Sequence, residues 1–158
     1  MDYETEYWGT FVPTDVETMG AYYLIDQDCT EFIELMKFHG VEMTQLPNDV
    51  TVAGADHLHF AIKSYTSGGA VIDGRERKDY EGHFQTLVTG EWKKGDGDIV
   101  IPAGTYVIST AQRFGSFAAL ICEPAAVDGG VAWNFFDNYL DAKEGTFRAN
   151  YSLSLIHI

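Results

Sequence analysis

Cations are scarce in this chain of 158 residues: ten Lys and Arg stand against 24 Asp and Glu, for a formal net charge of −14 with neutral histidines. A polyanion binds by exchanging its counterions for protein cations, and an anionic membrane surface attracts polybasic segments. The deficit argues against nucleic acid and anionic lipid as partners and favours solubility. No apolar run approaches the roughly 18 residues a membrane span needs. The first residues also lack the charged start, apolar stretch and small-residue cleavage site of a secretory leader. Cysteine is limited to Cys29 and Cys122, too few for a disulfide framework, and both read as small buried apolar side chains in helical segments. A Gly-rich phosphate loop, a Gly-x-Ser-x-Gly elbow and a Cys-x-x-Cys pair are all missing, as are internal repeats and low-complexity tracts.

What is present is globular. The chain is 46% hydrophobic and 14% aromatic with 16 glycines, and a domain of about 150 residues buries roughly 68–70% of the surface its unfolded chain exposes. Residues 21–25 (Ala-Tyr-Tyr-Leu-Ile) form a compact aromatic and branched run between Gly20 and Asp26, the pattern of a buried strand. A helix is predicted from a cap at Asp28 or Thr30 through His39, with Phe32, Leu35, Met36 and His39 on one face and Gly40 as its C-terminal stop. Residues 41–46 alternate as a half-buried strand, closed by Pro47 and Asn48. Strands follow at 58–65 and 84–92, flanking a long exposed loop at 66–79 that is rich in glycine and charge. A turn at 93–97 feeds a strand at 99–101, which Pro102, Ala103 and Gly104 interrupt before it resumes over 105–109. A second helix is predicted over 111–122, capped by Thr110, with a stripe of Phe114, Phe117, Ala118 and Ile121, and Pro124 stops it. Residues 131–140 hold Trp133, Phe135, Phe136 and Tyr139 and read as a packing element, helical or irregular. The fold class expected is α+β and β-rich: an antiparallel sandwich or jelly-roll-like domain with two or three short helices.

Several residues have the right chemistry for a site. His39 and Glu42 match the His-x-x-Glu spacing of some zinc hydrolases, but the pair spans a helix end and a glycine, and the downstream histidine at a useful distance is His157. Catalytic zinc needs three ligands, an open position and a base, so a coincidental match is the better reading. His57 and His59 alternate on one face of a strand, a sound geometry for two metal ligands. With His83, Glu81 and the run 97–104 (Gly-Asp-Ile-Val-Ile-Pro-Ala-Gly) they faintly resemble the two sequence boxes of the cupin family. The glutamate and second-box histidine of that family are not in place; Tyr65 and Val107 lie near where they would fall. His57, His59 and His83 are therefore read as solvated or structural rather than as ligands, and no metal, cofactor or catalytic residue is assigned. Tyr3, Tyr7 and Trp8 offer rings that a sugar or peptide would stack on, though single surface aromatics are common.

A broader resemblance lies in Ile101-Pro102-Ala103-Gly104-Thr105-Tyr106-Val107, Ala111-Gln112, Glu123-Pro124, Asp128 and Val131-Ala132-Trp133-Asn134-Phe135-Phe136-Asp137. Together with residues 21–25, His39-Gly40-Val41 and Tyr80-Glu81-Gly82-His83, these residues resemble the C-terminal tail domain that follows the catalytic domain in a branch of the bacterial zinc carboxypeptidases. The similarity covers nearly all of residues 8–140. It departs from the tail at Gly20 and Asp26, where proline is usual, and at Ala125 and Ala126, where Glu-Ser is usual. The resemblance implies a non-catalytic accessory domain whose partner is the parent's own peptidase domain. That domain would hold the zinc and hydrolyse C-terminal peptide bonds of a peptide or protein substrate, in a secreted or periplasmic setting. No position here matches the family's zinc ligands, substrate-carboxylate arginine or general-base glutamate. Residues 1–7 then read as a linker from an upstream domain and 8–152 as one β-rich domain. Residues 153–158 (Leu-Ser-Leu-Ile-His-Ile) resemble the in-frame translation of a sequencing-library adapter, a non-native tail. The cupin-like metal-binding barrel and a glycan- or peptide-binding β-sandwich module are the alternative expectations.

Overall fold

The structure, a computed structural model, describes residues 18–66, 71, 72, 75, 76, 83–137 and 154–156, together with Gly9 and Val16. Its elements are β1 (Tyr22–Ile25), α1 (Thr30–Phe38), β2 (Met43–Gln45), β3 (Val50–Val52), a 3-10 turn (Gly54–Asp56), β4 (His57–Thr66), β5 (Val71–Ile72), β6 (Arg75–Glu76), β7 (Leu87–Lys94), β8 (Ile99–Ile101), β9 (Tyr106–Ser109), α2 (Gly115–Cys122) and β10 (Ser154–Ile156). Six strands make one sheet in the order β2-β9-β1-β10-β4-β7, while β3 pairs with β8 and β5 with β6. Every described pairing is antiparallel. The fold is α+β and β-rich.

Both faces of β1 are covered, which explains its unbroken apolar sequence. Tyr23 and Ile25 join Ile108 of β9 in a core with Phe32, Ile33 and Met36 of α1 and Ala118, Ala119 and Cys122 of α2. On the opposite face Leu24 meets Ile101, with Tyr22, Val52, Ile99 and Val107 packed around them, so the β3–β8 ribbon lies over β1 and β9. Alternation along β4 places Leu58, Phe60 and Ile62 on the helix side, where Phe60 meets Trp92 edge-on with ring centroids 5.3 Å apart. Burial of a large apolar side chain such as Phe32 or Met36, both wholly inaccessible, contributes about 1.5–3 kcal/mol.

Helix α1 ends as its glycine predicts. Gly40 has φ of +77°, its N–H donates to the Lys37 carbonyl, and the Val41 N–H donates to the Met36 carbonyl. This is a Schellman closure, for which a residue without Cβ is favoured. The start differs from expectation: Cys29 is the N-cap and no side chain caps the helix, while the Asp26 carboxylate accepts from the Asp28 N–H.

The segment 99–109 is not one interrupted strand. β8 belongs to the ribbon and β9 to the main sheet, and the residues between them carry the chain from one layer to the other. Asp49 accepts from the Ala103 N–H, the Gly104 N–H donates to the Leu46 carbonyl, and Gly104 takes φ of +91°.

Helix α2 begins later than its sequence pattern suggests. The Thr110 hydroxyl donates to the carbonyls of Gly20 and Ala21 rather than capping a helix. The buried face is Gly115, Ala118, Ala119 and Cys122, a row of small side chains on which the helix lies close to its neighbours. Residues 128–137 form successive turns, with Val131, Ala132 and Phe136 buried.

Residues 154–156, within the stretch that resembles an adapter translation, form β10 between β1 and β4. Leu155 stands opposite Tyr23 on one side and Leu58 on the other. Tyr3, Tyr7, Trp8, Tyr80, Glu81, Tyr139, Leu140 and His157 lie outside the described residues, as does most of 66–79.

Candidate functional site

Three places have side chains arranged for contact chemistry. The first is the outer surface of the helix layer. At the end of α1, Phe38 is 86% exposed. His39 lies against it, with ring centroids at 5.5 Å, and against Phe117 of α2 at 4.8 Å. Phe114 borders Gly40 and carries the Arg113 guanidinium over its ring at 5.3 Å. One turn further along α2, Leu120 is 52% exposed. The stripe expected to bury α2 is thus partly turned outward, because the small residues occupy the inward face. His39 and Glu42 do not act as a pair: His39 is the C-cap of α1, and the main chain of Glu42 exchanges hydrogen bonds with the Gln112 amide.

The second is a carboxylate between helix and sheet. Glu123, at the end of α2, accepts the Tyr23 phenol on Oε1 at 2.6 Å and the Trp92 indole on Oε2 at 3.1 Å. Burial first, and the Glu123 carboxylate second, push the Tyr23 phenol far above its ordinary value. The same two causes, in the same order, push up the Cys122 thiol. Both groups therefore stay protonated: Tyr23 is a donor, and Cys122 is an inert buried thiol. The arrangement ties β1, β7 and α2 together.

The third is an aromatic corner. Trp133 is 41% exposed and stacks on His83, with centroids 4.5 Å apart and planes at 19°. Its indole N–H donates to Asp128. Beneath it, Asn134, at φ +67°, donates to the Thr86 hydroxyl and to Asp137, and the Thr86 hydroxyl donates to the other Asp137 oxygen at 2.9 Å. The ring is held by His83 and Asp128, and the turn next to it by the Asn134–Thr86–Asp137 network.

The three candidate histidines are not brought together. His57 is buried against Gly95, with Nδ1 at 3.1 Å from the Ala53 carbonyl. His59 sits opposite Lys93. His83 lies beyond the other end of β7, with Nε2 at 3.2 Å from the Ala132 carbonyl. Among the described residues no three His, Cys, Asp or Glu side chains gather as a metal site would require, and no helix is long and apolar enough to cross a membrane.

Sequence reasoning missed Glu123 as a hydrogen-bonding centre and Trp133 as a surface ring. The signal for the first was a lone acid closing an apolar helix before Pro124. For the second it was a tryptophan flanked by Asp128, Asn134 and Asp137. No protein-family profile, no curated protein and no solved structure matches the chain.

Proposed function

We propose that this chain is a non-catalytic accessory domain of a zinc carboxypeptidase-like protein and that it docks on the peptidase domain through the helix layer. The observation that carries the docking role is the exposed apolar surface of Phe38, Phe114 and Leu120 around half-buried Phe117. Exposed large apolar side chains grouped on one layer of a charged protein mark a contact site. The tie to a peptidase rests on the residues that resemble the family's tail, above all the runs 101–107 and 131–137. In that arrangement the zinc, the general base and the substrate-carboxylate arginine belong to the catalytic domain, and this domain supplies a fitted surface.

The experiment is a binding measurement with the peptidase domain encoded upstream of this segment. Wild-type protein is expected to bind it in trans, and a Phe38→Asp/Phe114→Asp variant with an unchanged circular dichroism spectrum is expected to lose at least tenfold in affinity. Equal binding by both proteins, or binding by neither, overturns the docking role.

A second reading, a glycan- or peptide-binding module, draws on the Trp133 corner. An exposed indole clamped by His83 and Asp128 suits stacking on a ligand at little entropic cost. Quenching or enhancement of tryptophan emission by oligosaccharides or peptides, abolished in Trp133→Ala, would favour it over docking.

A further inference from the structure

The two edges of the main sheet differ in what they offer. At one edge β2 presents three residues, whereas at the other β7 presents eight. Among the described residues β7 pairs only with β4, and no main-chain hydrogen bond joins the outward groups of 87–94 to another element. An open edge of this length is a template for a further strand.

The side chains of β7 select the occupant. Glu91 and Lys93 share the face away from the helices, where the Glu91 carboxylate meets Lys63 at 3.1 Å and Lys93 at 3.3 Å. Trp92 points to the helix side, against Phe60. When two copies of one strand pair antiparallel about a twofold axis, directly opposed residues share a face, so the axis passes through a residue position. An axis at Glu91 sets two carboxylates against each other. An axis at Gly90 sets Lys93 against Leu87 and Glu91 against Thr89. An axis at Trp92 sets Glu91 of each copy against Lys93 of the other, so that both charge pairs are complementary.

Charge distribution favours the same meeting place. Strands β4 and β7 carry three lysines, Lys63, Lys93 and Lys94, against the single carboxylate of Glu91. The two strands thus carry +2 in a chain whose net charge is −14. Two copies meeting along β7 therefore join through the cationic strands of an acidic chain.

We propose that β7 pairs antiparallel with β7 of a second copy of this chain, with Trp92 on the twofold axis and Glu91 opposite Lys93 in both directions. The pairing is independent of the helix-layer docking surface. It is tested by sedimentation velocity across a concentration series of the full chain, with thermal melts as a check on folding. Wild-type protein dimerises. Glu91→Lys and Lys93→Glu each weaken the dimer by about tenfold, since each turns two cross-strand attractions into repulsions. The double variant Glu91→Lys/Lys93→Glu recovers most of the wild-type affinity, because the opposed charges are again of opposite sign. Both side chains are about half exposed, so neither change threatens the fold. A monomer at every concentration, a dimer indifferent to the single changes, or a double variant no better than the singles overturns the proposal.

Discussion

Tyr23 and Glu123, a hundred positions apart in sequence, meet at 2.6 Å, with the phenol of the innermost strand donating to the carboxylate that closes α2. The contact joins the sheet to the helix layer through a polar bond in an apolar setting, where leaving a partner unsatisfied is expensive. Tyr23→Phe keeps the ring and removes the donor, and is expected to cost about 1–3 kcal/mol in urea unfolding. Trp92→Phe removes the other donor, and its cost is expected to fall in the same range. An unchanged midpoint for both variants would show that Glu123 is satisfied without them.

The same corner sets an alkaline limit. Cys122 and Tyr23 both have folded-state pKa values raised above their ordinary 9.0 and 10.0. A group raised on folding contributes stability that is complete below its unfolded pKa and is lost as pH climbs toward the folded one, because only the unfolded chain releases the proton. Stability is therefore expected to be level with respect to these groups up to about pH 9 and then to decline. The slope approaches about 1.4 kcal/mol per pH unit for the thiol and doubles above pH 10 as the phenol joins. Cys122→Ala should remove the first phase and leave the second. Chemical denaturation between pH 8 and 11 measures both.

Two glycines divide by their surroundings. A Cβ on Gly115 would collide with the Thr110 carbonyl, whereas a Cβ on Gly97 meets nothing within 4 Å. Gly115→Ala is expected to destabilise by about 1–3 kcal/mol, since backbone has to move to admit it. Gly97→Ala is expected to be neutral or to stabilise by up to about 1 kcal/mol through the unfolded chain. Thermal melts of the two variants should move apart accordingly.

Core truncation gives the scale for these effects. Phe32 is wholly buried and lies against Phe135 and Phe136, with centroids at 5.8 and 4.8 Å. Phe32→Ala is expected to cost about 3–5 kcal/mol. A loss under 1 kcal/mol would place Phe32 outside the core.

Local signals carried the fold further than the site. The run 22–25 was legible as a buried strand because both of its faces are covered, and the end of α1 because Gly40 supplies the left-handed residue the closure needs. The start of α2 was not, since the hydroxyl of Thr110 serves the carbonyls of Ala21 and Gly20, just before β1, 89 and 90 positions away. Likewise Pro102 and Gly104 announce a break but not that the chain changes sheets there. Glu123 gains its role from Tyr23 and Trp92, and no spacing rule reaches that far. The α2 stripe pointed to Phe114 as core, yet the small residues beside it took the inward face and left the ring for the surface.

The most direct measurement is zinc-dependent turnover. Purified chain is incubated with peptides of varied C-terminal residue, with and without added zinc and chelator, and the release of free amino acid is followed. An accessory domain predicts release no faster than the protein-free blank under every condition. Chelator-sensitive release of C-terminal residues, proportional to protein, would contradict it.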